Sequence, residues 1–100
     1  MKFSLTTTTE NLSFGLRRLG YRLEREERGE LAFAKIIGPS SSGYPRFHLY
    51  VKTDQSGGRI FFNLHLDQKK PIYKGATAHS GEYEGALVAN EAKRIQEGLQ

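Results

Sequence analysis

Histidine is the side chain best suited to move protons near neutral pH, and two of the three in this chain stand in alternating segments. His48 lies in Phe47-His48-Leu49-Tyr50 and His65 in Asn63-Leu64-His65-Leu66. An imidazole that both takes and gives a proton suits general acid–base work on an RNA 2′-hydroxyl. Lys52, Lys69, Lys70 and Arg46 supply cations able to stabilise a pentacoordinate phosphate. Rings and an amide at Phe33, Tyr50, Phe61 and Asn63 offer surfaces on which single-stranded bases stack and hydrogen-bond. His48 and His65 are therefore candidate catalytic residues. Phe33, Tyr50, Lys52, Phe61, Asn63, Lys69 and Lys70 are candidate nucleic-acid contacts.

These groups act together only if folding collects them, and the stretch from Arg46 to Asp67 says how. Phe47, Leu49 and Val51 alternate with His48, Tyr50 and Lys52, and Ile60, Phe62, Leu64 and Leu66 alternate with Phe61, Asn63, His65 and Asp67. Between them Asp54-Gln55-Ser56-Gly57-Gly58 is a polar, glycine-bearing turn. A hairpin centred on Ser56-Gly57 opposes Phe47 to Leu66, Leu49 to Leu64, Val51 to Phe62 and Thr53 to Ile60, all pairs a core accepts. A one-residue slip would set core residues against polar ones, so the pattern selects this register. It also opposes His48 to His65, Tyr50 to Asn63 and Lys52 to Phe61 on the other face.

Two opposed histidines could share a metal, with Asp67 beside them and His79 and Glu82 folding over from a loop. The tight ligand spacing of known metal motifs is absent, so no metal and no cofactor is expected. There is no nucleophilic serine motif, no phosphate-cradling glycine loop and no pair of carboxylates at a useful spacing.

The flanking segments supply the rest of the fold. Thr7 to Glu10 reads as a capping box ahead of Leu12, Leu16 and Leu19, which share one helical stripe. Gly20 provides a left-handed stop, so a helix is expected from about Thr8 to Leu19. Tyr21 to Glu26 and Leu31 to Ile37 form a second hairpin through Glu27-Arg28-Gly29-Glu30. In that reading Ala32 and Ala34 share a face with Tyr21 and Leu23 and let a helix approach, which leaves Phe33 on the outer face. Asp67 to Gly85 reads as a long irregular loop, docked on the sheet through Ile72 and Tyr73. A last helix runs from about Gly85 to Gly98, with Val88, Ala92, Ile95 and Leu99 as its apolar stripe.

The expectation is a single α+β domain over residues 1–100. It has a four-stranded antiparallel β-meander with an N-terminal and a C-terminal helix on one face, in the order α-β-β-β-β-α. Lys2 to Leu5 is a candidate extra edge strand.

Composition narrows the function classes. Of 100 residues, 37% are hydrophobic and 26% charged, a balance that suits a folded domain. The most apolar stretch, Leu31 to Ile37, is strand-sized, so no membrane partner is expected. The N-terminus lacks the apolar segment of an export signal, which makes a cytoplasmic location the default expectation. With no cysteine, neither a disulfide nor a thiolate metal site can form. A net charge of +4 and a pI near 9.5 tolerate a nucleic-acid partner without demanding one, because acidic residues interleave with basic ones.

Leu16-Arg17-Arg18-Leu19-Gly20-Tyr21 leading into strands, followed by the strand histidine of Phe47-His48-Leu49-Tyr50, resembles the small HicA-type toxins. The resemblance touches about half the chain. It implies an mRNA interferase with a double-stranded-RNA-binding-like fold, in which His48 matches the histidine that serves in RNA cleavage. The chain departs from the pattern in an added strand before His48, in lacking the Gly-Ser that usually precedes that histidine, and in the 67–85 loop. The leading expectation is an RNA- or nucleic-acid-interacting module, with ribonuclease toxin activity as its sharper form. The alternative is a non-enzymatic interaction domain whose sheet binds a protein partner or a second copy. In that account alternation merely puts polar groups outward, and the loop or a second subunit covers the aromatics.

Overall fold

The alternation from Arg46 to Asp67 becomes two nine-residue strands, β4 (Arg46–Asp54) and β5 (Arg59–Asp67), paired in the expected register. The computed structural model describes residues 1–6, 11–38, 41–54, 58–68 and 79–100, the side chains of 79–84 excepted. Around this hairpin the described residues add β1 (Lys2–Leu5), α1 (Leu12–Arg18), β2 (Arg22–Glu27), β3 (Glu30–Ile36) and α2 (His79–Leu99). The sheet is antiparallel throughout, with strand order β1-β5-β4-β3-β2.

The α+β class and the antiparallel sheet are as expected, but the sheet has five strands rather than four. The added member is Lys2–Leu5, which pairs along β5 from Lys2 opposite Asn63 to Leu5 opposite Ile60. Four residues are too few for alternation alone to settle. Here Phe3 stacks on Phe62 at 4.9 Å between ring centroids, and Leu5 is buried.

One face of the sheet carries the core. Phe33, Phe47, Leu49, Val51, Phe62 and Leu64 are buried there with Leu16 of α1 and Ala92, Ile95 and Leu99 of α2. Ile60 and Leu66 pack against its margin, as expected of their strand positions. Among the described residues no helix is long and apolar enough to cross a membrane.

Helix α1 is shorter than the sequence suggested. Its N-cap is Asn11, whose Oδ1 accepts from the Phe14 amide at 3.1 Å. The expected capping box at 7–10 lies outside the described residues. The C-terminal stop is as read: Gly20 has φ +104, its amide donates to Arg17 O, and the Tyr21 amide donates to Leu16 O. Both hydrogen bonds of a Schellman motif are thus made. Helix α2 begins at His79, earlier than Gly85. Gly81 and Gly85 lower helix propensity without breaking the helix, and Glu82, Tyr83 and Glu84 between them are compatible with it. The helix thus takes in part of the stretch expected to be irregular, and the expected docking of Ile72 and Tyr73 lies outside the described residues.

The second hairpin corrects the sequence reading. Arg28 and Gly29 both have positive φ, +54 and +82, as a two-residue type I′ turn requires. That turn opposes Glu27 to Glu30 and Arg25 to Ala32. Continued unbroken, it would set Leu23 beside Ala34 on the open face. Instead a bulge between Leu23 and Arg25 shifts the register by one, so that Leu23 opposes Phe33 and Arg22 opposes Ala34. Phe33 opposes Leu49 of β4 in the core, at 0% exposure, and is no nucleic-acid contact. Ala32 and Ala34 move to the open face, opposite Tyr50 and His48.

Candidate functional site on the open sheet face

The face away from the helices is built by position within each strand. Strand β4 contributes Arg46, His48, Tyr50 and Lys52; β5 contributes Arg59, Phe61, Asn63, His65 and Asp67; and β1 contributes Lys2 and Ser4. These side chains sort into two clusters.

The first centres on His48. Its Nδ1 lies 2.6 Å from Asp67 Oδ2 and its Nε2 3.2 Å from Glu24 Oε1. A carboxylate only accepts, so a neutral ring satisfies one of these contacts at a time and an imidazolium both. Glu24 stands on β2 and His48 on β4, with β3 running between them. Glu24 reaches across because the positions beneath it on β3 are Ala32 and Ala34, both buried and too small to block the way. The bulge contributes as well, since Glu24 is its extra residue, between Leu23 opposite Phe33 and Arg25 opposite Ala32. Glu24 Oε2 also accepts from Arg46 Nη1 at 3.3 Å, and the Arg46 guanidinium carbon lies 4.8 Å from the centre of the Tyr44 ring. The Arg46 Nε is buried and has no hydrogen-bond partner among the described residues.

The second cluster is a groove of about 490 Å3 whose lining includes Lys2, Ser4, Tyr50, Lys52, Phe61 and Asn63, with Glu30 opposite Lys52. Phe61 is 45% exposed here, which is unusual for a large apolar side chain in the middle of a strand. Among the described residues neither Lys2 nor Lys52 enters an ion pair. Arg59 borders the groove and donates to Ser4 Oγ at 3.0 Å. Tyr50 joins the two clusters: its ring lies 5.1 Å from that of His48 and 5.9 Å, edge-on, from that of His65.

The structure thus brings together His48, His65, Tyr50, Lys52, Phe61 and Asn63, separates Phe33 from them, and leaves Lys69 and Lys70 outside the described residues. The opposition of His48 and His65 is as expected, but His48 is half-buried and held by two carboxylates rather than free. Glu24 and Lys2 were not expected at the site. Lys2 was legible in the alternation of Lys2-Phe3-Ser4-Leu5; Glu24 was not, because its approach depends on a bulge and on what lies beneath it. Among the described residues no group of three His, Asp or Glu side chains is placed to hold a metal ion, and His79 and Glu82 have no described side chains.

No family model matches the chain, and neither a curated protein nor a solved structure matches it.

Proposed function

We propose that this domain binds single-stranded RNA across the open face of its sheet. The observation that carries the reading is the groove where Tyr50 and Phe61 stand beside Lys2 and Lys52. Exposed rings on a sheet accept bases by stacking, and cations at their edges meet phosphates. A solvated outer face needs no exposed phenylalanine, and unpaired lysines beside one disfavour an apolar dimer contact. The test is fluorescence anisotropy of a labelled single-stranded RNA titrated with the protein over a range of salt. Binding that weakens steeply with salt is expected. RNA left unbound at low salt, together with a salt-insensitive dimer that shields Tyr50 and Phe61, would move the protein to the interaction-domain class.

A sharper form of the reading is cleavage of the bound strand, in line with the resemblance to HicA-type toxins. It is favoured by the short contact from His48 Nδ1 to Asp67, which fixes the ring with Nε2 directed away from β5. In this proposal a neutral His48, its one proton on Nδ1 and held by Asp67, turns its bare Nε2 from Glu24 to the 2′-hydroxyl and takes that proton as the 2′-oxygen attacks the adjacent phosphorus, while a protonated His65 gives its proton to the departing 5′-oxygen. His48→Gln and His65→Gln should each abolish cleavage of a labelled RNA while leaving its binding in place. Cleavage retained in both variants would remove the catalytic role and leave a binding module.

A further inference from the structure

We infer that the groove takes an adenine base, with the Asn63 amide reading its edge; this rests on the RNA reading above. Asn63 occupies the middle of the groove, opposite Lys2 on β1 and opposite Tyr50 on β4. Phe61 lies two residues away on the same strand and the same face. The Asn63 side chain is half-buried, yet its amide makes no hydrogen bond with any described residue. A partly desolvated group with a donor and an acceptor side by side, and rings on two sides of it, is complementary to a flat ligand with the matching pair on its edge.

Among the bases adenine fits that requirement best. Its N6 donor stands between two ring acceptors, so the donor–acceptor pair appears on two separate edges, and the bidentate asparagine contact uses N6 and N7. Guanine shows two acceptors, O6 and N7, on its Hoogsteen edge, a pattern matched by arginine or lysine, and a donor–acceptor pair for an amide on its Watson–Crick edge alone. Cytosine and uracil present a matching pair on one edge only and offer a smaller surface to Tyr50 and Phe61. Lys2 and Lys52 stand within the same lining, placed for the phosphates on either side of the base.

The experiment is an anisotropy titration of labelled oligoadenylate, oligocytidylate and oligouridylate of equal length against wild type, Asn63→Ala and Asn63→Leu. Wild type should bind oligoadenylate about tenfold more tightly than either pyrimidine strand. Both variants should bind all three strands equally, and thermal melting identifies a variant that fails to fold. Equal affinities in the wild type, or an adenine preference that persists in a folded variant, would overturn the base assignment and leave RNA binding standing. Failure of all three strands to bind would overturn both.

Discussion

The two sides of the sheet each hold a carboxylate clasped by its neighbours, and the difference between them separates folding from function. On the helix-covered side Tyr21 Oη donates to Glu91 Oε2 at 2.6 Å, and Arg94 grips the same carboxylate through two bonds of 2.8 Å. Arg94 also donates to the Leu19 carbonyl at 2.7 Å, which ties α2 to the end of α1. Burial pushes the Glu91 pKa up, but hydrogen bonds from Arg94 and Tyr21 and the Arg94 charge outweigh it and hold the carboxyl below its ordinary value. Burial, then the hydrogen bond to Glu91, pushes the Tyr21 phenol far above its usual range. The hydrogen bonds of this cluster hold α2 to the end of α1 and to Tyr21, just ahead of β2. On the open side Asp67, His48 and Glu24 stand at the surface beside exposed rings and lysines. A ligand can compete for those contacts, whereas the buried cluster is closed to one.

If that division is right, substitutions on the covered side should cost stability and those on the open side should cost binding. Leu64, at 0% exposure in the core, should show the largest loss. Leu64→Ala is expected to cost about 2–5 kcal/mol in urea denaturation, through lost burial and the cavity left behind. A loss no larger than that of a surface substitution would break the comparison at its root.

The covered polar cluster comes next. Glu91→Ala should cost about 2–3 kcal/mol, because it strips charged hydrogen bonds from Tyr21 and Arg94, the latter still partly solvated. Its pH dependence sharpens the point. A carboxyl whose folded pKa is depressed stabilises fully above its unfolded value, about 4.3, and loses that contribution as pH falls through the folded one. Wild type should therefore shed stability over this acid window, and Glu91→Gln should remove that part of the slope. Identical acid slopes in the two proteins would show that Glu91 gains nothing from its partners.

The two sides also differ in how far they could be read from sequence. The pairing of β4 with β5 was legible because both strands alternate strictly, so one register satisfies every core position. The stripe Ala92, Ile95, Leu99 and the stop at Gly20 were legible for the same local reason. A reading anchored on Tyr21 and Leu23 sets Phe33 outward, because the bulge reverses the start of β2 relative to β3 and nothing in the composition of Leu23-Glu24-Arg25 marks it. The contact of Glu24 with His48 was hidden for a further reason. It joins residues 24 positions apart across an intervening strand, and it exists because Ala32 and Ala34 fill the gap with methyl groups. Single-strand patterns reach a neighbouring strand, not the one beyond it.

On the open side the smallest stability effect is expected at His48. Its two carboxylate contacts lie near the surface, so His48→Gln should change stability by less than about 1 kcal/mol. A loss comparable to that of Glu91→Ala would make His48 a structural residue and blur the distinction between the two faces.

The most direct measurement pairs affinity with stability in the double variant Tyr50→Ala/Phe61→Ala. Both rings line the groove, and Phe61 is largely outside the core. Each ring on which a base stacks contributes about 1–3 kcal/mol. The double variant should lose at least tenfold in affinity for single-stranded RNA while its thermal midpoint stays within a few degrees of wild type. Unchanged affinity in a folded double variant would contradict the assignment of this face as the RNA-binding surface.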